Sequence, residues 1–171
     1  MIIEFLFTSM SSIQRIIGVD PGLSITGFGV LDQKNDQIRL VAHGTIKPPN
    51  RESLPNRLKY LNDNMKDLIK RFDPFQMAIE DTFYSINVKS ALLLGQARGV
   101  LLLAAASMNI QSSSYAPRKV KQSVAGNGGA DKKQIQFMVQ KILNMDKPPK
   151  PLDASDALAV ALCHINQNKY L

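Results

Sequence analysis

The stretch RIIGVDPGLSITGFGV, residues 15–30, decides how the rest of the chain is read. Ile16, Ile17 and Val19 form a short apolar run of strand type that closes on a charge, Asp20, followed by Pro21-Gly22. Side chains alternate along a strand, so Ile16, Gly18 and Asp20 share a face, and Gly18 leaves space beside the acid. An Asp-Pro-Gly turn is one explanation of that ending and a metal ligand is another. The choice depends on what else the chain brings to the same place.

Outward from this strand, residues 25–31 and 37–46 read as two more strands, joined by turns at Pro21-Gly22 and Asn35-Asp36, which predicts an antiparallel meander. From Leu54 the apolar positions Leu58, Leu61, Met65, Leu68 and Phe72 follow a helical spacing that ends at Asp73-Pro74. Residues 75–80 read as a strand, 88–108 as a helix apolar nearly all round, and 110–115 as a fifth strand. Helices are expected near 117–124, 131–144 and 152–166. Strands first and strand–helix alternation afterwards give an α/β fold with a five-stranded mixed sheet, antiparallel meander plus parallel strands, flanked by helices. The 88–108 helix, with Gly95 and Gly99 four apart, is expected to turn one face to the sheet and the other to a second subunit. Gln96 and Arg98 inside it argue against a membrane span.

The FQMAIED segment, residues 75–81, repeats the logic of the first strand: Ala78, a small residue, and then Glu80, a carboxylate at the strand end. Two strands built alike fit a site at the carboxyl edge of a parallel pair. In PLDASDALAV, residues 151–160, Asp153 and Asp156 lie three apart at a helix start and are expected on one face. An N-cap and a first-turn acid would explain them as well. Ala154, Ala157, Ala159 and Ala161, however, make this a thin helix able to lie close to a sheet and bring its acids to Asp20 and Glu80. Clustered carboxylates repel unless a cation sits among them, and oxygen ligands without imidazole or thiolate point to Mg²⁺, with Mn²⁺ as a substitute. Two such ions about 4 Å apart can activate water and steady a leaving oxygen in phosphodiester cleavage. With one cysteine and two histidines in 171 residues, zinc chemistry is disfavoured and a reducing, cytoplasmic setting fits.

The chain carries a formal charge of +7, and residues 112–150 hold eight Lys/Arg against two Asp. Such a surface favours a polyanionic partner. Gly126-Asn127-Gly128-Gly129 leads into Asp131-Lys132-Lys133, where lysines oppose the helix dipole unless a phosphate docks on the backbone N–H groups and the ammonium together. The apolar N-terminus, residues 1–12, reads as a disordered leader, with residues 13–171 as a single domain.

With these residues assembled, the chain resembles the RuvC family of Holliday junction resolvases, within the ribonuclease H-like superfamily. The parts that carry the resemblance are IIGVDPG at 16–22, AIEDTF at 78–83, ALLLGQARGV at 91–100, YAPRKVKQSVAGNGGADKKQ at 115–134 and DASDALAVALCH at 153–164. The resemblance implies a homodimer that nicks four-way junction DNA symmetrically in recombination and repair, leaving 5′-phosphate and 3′-hydroxyl ends. It implies Asp20, Glu80, Asp153 and Asp156 as catalytic and metal-holding acids, with one or two Mg²⁺ per subunit, and branch-migration junction-binding and motor proteins as partners. Phe83 matches the aromatic that stacks on unpaired bases; Lys121 and Lys132 match basic positions near the scissile phosphate; Arg118, Lys119 and Lys133 are expected along the duplex arms. Three other readings compete: an actin-like ATP phosphotransferase, whose two lobes 171 residues cannot easily hold, a catalytically silent junction binder, and a less structure-selective ribonuclease H-like nuclease.

Overall fold

The computed structural model describes residues 13–81 and 87–168. Five strands form one sheet in the order β3-β2-β1-β4-β5. β1 (Gln14–Asp20), β2 (Thr26–Lys34) and β3 (Gln37–Ile46) make the antiparallel meander, and β4 (Gln76–Glu80) and β5 (Gln111–Tyr115) extend it in parallel from β1. β2 runs past its expected end at residue 31. The reason is local: Asp32 pairs across the register with Arg15, which grips it through Nε–Oδ1 at 2.7 Å and Nη2–Oδ2 at 2.9 Å. The chain then turns at Asn35, whose φ is 53°.

Alternation along the strands sorts the core into two layers. Ile17, Val19, Met77 and Ile79 face α1 (Leu54–Phe72) and α2 (Val88–Ser107), packing on Leu61, Met65, Ile69 and Leu101. Ile16 and Ala78 face the other way, toward α3 (Pro117–Ala125), α4 (Lys132–Ile142) and α5 (Leu152–Asn168). Length and composition alone would let α2 cross a membrane. In the fold, Ala97, Leu101, Ala104 and Ala105 are buried, while Leu92 and Leu103 are 64% and 60% exposed. The expected burial on both faces is thus met on one face within this chain.

α5 lies almost in backbone contact with the sheet. A Cβ on Gly18 would stand 2.2 Å from the Ala157 carbonyl oxygen, and one on Gly27 would stand 1.9 Å from that of Asp153. Residue 18 is therefore glycine because a helix passes over it, and the alanines of α5 let that helix come so near. Deeper in this layer the Tyr115 hydroxyl donates to His164 Nδ1 at 2.9 Å, and His164 Nε2 lies 2.7 Å from Gln76 Oε1. Burial holds the imidazole below its ordinary pKa, so this ring sits neutral and bonded within the core.

Candidate active site

The parallel ladder between β1 and β4 ends with Val19 opposite Ile79. One residue further, Asp20 and Glu80 leave the sheet side by side into one cavity. α5 supplies Asp156 from above. Together with Lys121 of α3 and Lys132 of α4, these three acids line a cavity of about 190 Å³ walled by Val120 and Ile135. Burial pushes Asp20 up to about 8, with the charges of Glu80 and Asp156 adding to it. Glu80 is raised to about 7, again by burial first and then by Asp156. Even with a lysine beside them, both acids are held well above the ordinary carboxylate range.

One positive charge is already in place. Lys132 Nζ lies 2.7 Å from Asp156 Oδ2, and that hydrogen bond raises the lysine above its ordinary pKa. The lysine stands in the first turn of α4, where it opposes the helix dipole. The expectation that a phosphate docks on the adjoining glycine loop is corrected by the loop's own bonding. Gly128 N donates to Gln122 Oε1, Gly129 N to Asn127 Oδ1, and Asp131 N to Gln134 Oε1. Asp131 in turn accepts from Gln134 N, closing a capping box over the start of α4. These amides are satisfied within the chain, and Lys132 meets a carboxylate.

The other expected residues divide. Asp153 stands at the rim of the cavity that holds Asp20, Glu80 and Asp156. It lines a neighbouring cleft with Gly22, Ser24, Arg57 and Ser90, although its charge is still felt at Asp20. Three residues on a helix differ by roughly 60° in direction at about 100° per residue, enough to place two acids on either side of a rim. Arg118 lies against Gly128, Lys119 stands 5.7 Å from the Tyr115 ring centre, and Lys133 opens onto a separate cavity with Phe137 and Met138. Phe83 lies outside the described residues, as do residues 1–12.

The donor set for a metal is carboxylate oxygen only, which fits a hard divalent cation. Among the described residues, no three acids converge closely enough to enclose a single ion. Asp156 is engaged by Lys132, and Asp153 lines the other cleft. The site fits such an ion by the chemistry of its buried carboxyl oxygens.

One positioning residue escaped the sequence reading. Arg98 of α2 donates from Nη2 to Asp81 Oδ1 at 2.7 Å and to Ser114 Oγ at 2.6 Å, and from Nε to the Glu80 carbonyl oxygen at 3.3 Å. It ties the carboxyl ends of β4 and β5 to α2, and so fixes the backbone from which Glu80 projects. Its signal was an arginine in an otherwise apolar helix, a costly placement without a carboxylate partner.

The family model described as "Crossover junction endodeoxyribonuclease RuvC" matches residues 16–164. A RuvC from Alkaliphilus oremlandii is 44% identical over 155 residues, 91% of this chain and 94% of that protein. One from Azoarcus sp. is 49% identical over 150 residues, 88% of this chain and 81% of the relative. Among solved structures, T. thermophilus RuvC in complex with a Holliday junction substrate aligns with a TM-score of 0.86 at 31% identity, covering 92% of this chain and 96% of the other. A mixed sheet that delivers two acids at the end of its parallel pair, a thin helix that adds a third, and a match along nearly the whole chain place this protein in the RuvC family of crossover junction endodeoxyribonucleases.

Proposed function

We propose that this protein resolves four-way DNA junctions in recombination and repair, as a homodimer that nicks two strands of like polarity and leaves 5′-phosphate and 3′-hydroxyl ends. The observation that carries this reading is the cavity in which Asp20, Glu80 and Asp156 meet Lys121 and Lys132. Divalent cations held there, Mg²⁺ or in its place Mn²⁺, one or two per subunit, supply Lewis-acid chemistry that activates water and stabilises the leaving oxygen. Asp20, Glu80 and Asp156 would hold them, with Asp153 contributing from the rim. Lys121 and Lys132 would present positive charge to the phosphate being cut. Arg98 holds the end of β4 so that Glu80 does not shift as the strand enters.

The second subunit is assigned to the outer stripe of α2, where Leu92, Gly95, Gly99 and Leu103 follow one another at helical spacing and lie exposed. A stripe of leucine and glycine facing solvent is unfavourable unless another apolar surface covers it. A two-fold axis through it would set two acid cavities symmetrically about a junction. Phe83 is assigned to stacking on unpaired bases, worth about 1–3 kcal/mol per base. Arg118, Lys119 and Lys133 are assigned to the duplex arms. Branch-migration junction-binding and motor proteins are the partners beside which such an enzyme works, and the single buried thiol, Cys163, suits a reducing cytoplasm.

The test is Asp20→Asn assayed on a synthetic four-way junction with and without Mg²⁺. Nicking should fall by about 10³-fold, the loss of several kcal/mol of metal-borne stabilisation, while junction binding persists. Equal cleavage by variant and wild type would refute the site; comparable cutting of junction, plain duplex and RNA–DNA hybrid would refute the junction selectivity.

A further inference from the structure

The acid cavity has a neighbour whose basic residue belongs to none of the roles above. Immediately after Asp20, the turn Gly22–Ile25 forms one wall of a cleft of about 470 Å³, with Asp153 at its rim, Ser90 from the first turn of α2, and Arg57 from α1. The turn is rigid. Thr26 Oγ1 donates to the Gly22 carbonyl at 2.6 Å and accepts from Gly22 N at 3.2 Å.

Arg57 is held in an unusual way. Its Nη2 donates to the Leu23 carbonyl oxygen at 3.1 Å and lies 3.5 Å from Ser24 Oγ. Its Nε is buried with no acceptor. Arg15, Lys59, Arg98 and Lys132 each have a carboxylate within ion-pair distance, but among the described residues none pairs with Arg57. Asp153 lines the same cleft without bonding to it. A half-buried guanidinium anchored by one arm to a backbone carbonyl, unneutralised and with a donor left over, is an expensive arrangement for a strut between a helix and a turn. It suits an anion that arrives with the substrate, because the planar fork keeps one arm on Leu23 and offers another outward. The first turn of α2 carries no acidic residue, so nothing on that wall opposes a negative charge.

We propose that Arg57 and this cleft form a second phosphate subsite. It takes a backbone phosphate of the cut strand adjacent to the one at the acids, on the side of the rim away from Lys121 and Lys132. The strand then crosses the rim at Asp153 with a cation holding it on each side, which fixes the scissile phosphate over Asp20 and Glu80. This assignment rests on the junction-nicking reading, since it needs a nucleic-acid strand through the acid cavity.

The experiment measures junction binding in EDTA, where no strand is cut, across a series of salt concentrations, for wild type, Arg57→Lys and Arg57→Gln. Glutamine keeps a polar amide and removes the charge; lysine keeps the charge and loses the fork. A lost phosphate contact lowers the slope of log affinity against log salt by about 0.9 for each subunit engaged. Arg57→Gln should show that loss together with several-fold weaker binding at low salt, and Arg57→Lys should retain the wild-type slope. A wild-type slope and affinity in Arg57→Gln, with only the melting temperature changed, would overturn the subsite and leave Arg57 as a strut. If wild type fails to bind or nick the junction at all, the proposed function fails and the subsite falls with it.

Discussion

α2 and α5 are both apolar helices packed on the same sheet, one on each side, yet they meet it in different ways. α5 is buried at every position from Ala154 to Ile165 except Asp156, and its backbone lies within a Cβ radius of Gly18 and Gly27. α2 buries one stripe and exposes another, and neither Gly95 nor Gly99 has an atom within 4 Å of where a side chain would start. The same residue type does opposite things. Glycine under α5 admits a helix that belongs to the chain, whereas glycine on α2 waits on a surface that this chain leaves uncovered. Apolar composition states that a helix is buried; it does not state by what.

The comparison is broken most severely on the α5 side. Gly18→Ala sets a methyl group 2.2 Å from a backbone oxygen that cannot step aside. Overpacking of this kind costs about 1–3 kcal/mol or more, which lowers Tm by roughly 5–10 °C in a chain of this size and moves Asp156 off its partners, so Mg²⁺-dependent nicking should fall with it. Thermal melts and junction nicking check both. On the α2 side, the proposed dimer predicts that Leu103→Arg sediments as a monomer with an intact far-UV spectrum, because Leu103 is exposed within this chain.

A pH series sharpens the electrostatic half of the contrast. Asp20 and Glu80 hold protons in the folded state up to about 8 and 7, whereas in the unfolded chain they release them near pH 4. The fold therefore binds more protons between those limits, and metal-free protein loses stability as pH rises from about 5 to 8. His164 acts in the opposite sense, since its neutral buried ring costs stability only below about pH 6.5. Melting in EDTA should fall by several degrees across the interval, and Mg²⁺ should restore most of the loss at pH 8. A flat profile would mean that the acids are better solvated than their burial implies. The smallest effect is Gly99→Ala in the Leu103→Arg background: with no clash to meet, alanine should stabilise the helix by about 0.5–1 kcal/mol. A loss of stability there would place a hidden contact on the outer stripe.

Most of the architecture was legible because its signals were periodic. The 3.6 spacing of Leu54 to Phe72 gave α1 to the residue, and the small-residue-then-acid pattern of β1 and β4 foretold their parallel pairing. The alanines of 154–161 foretold the close approach of α5. The place of Asp153 at the rim was not legible: spacing along a helix defines a face, but the rotation of that helix over a sheet is set by packing, here by Gly27 against the Asp153 carbonyl. The glycine loop misled for a related reason, because Gln122, Asn127 and Gln134 are ordinary polar residues until they are seen capping its amides. Arg98 and Arg57 showed in sequence only as charges, and their roles come from carbonyl oxygens that no sequence pattern marks.

The route by which α5 completes the site bears on how the protein is made. Asp20 and Glu80 belong to the centre of the sheet, but the helix that seats Asp156 against them follows every other element in chain order. A chain folded only through α4 would hold Asp20 and Glu80 without Asp156, and Gly18 and Gly27 would lie uncovered. Assembly of the three acids therefore waits on α5, the last of the described elements.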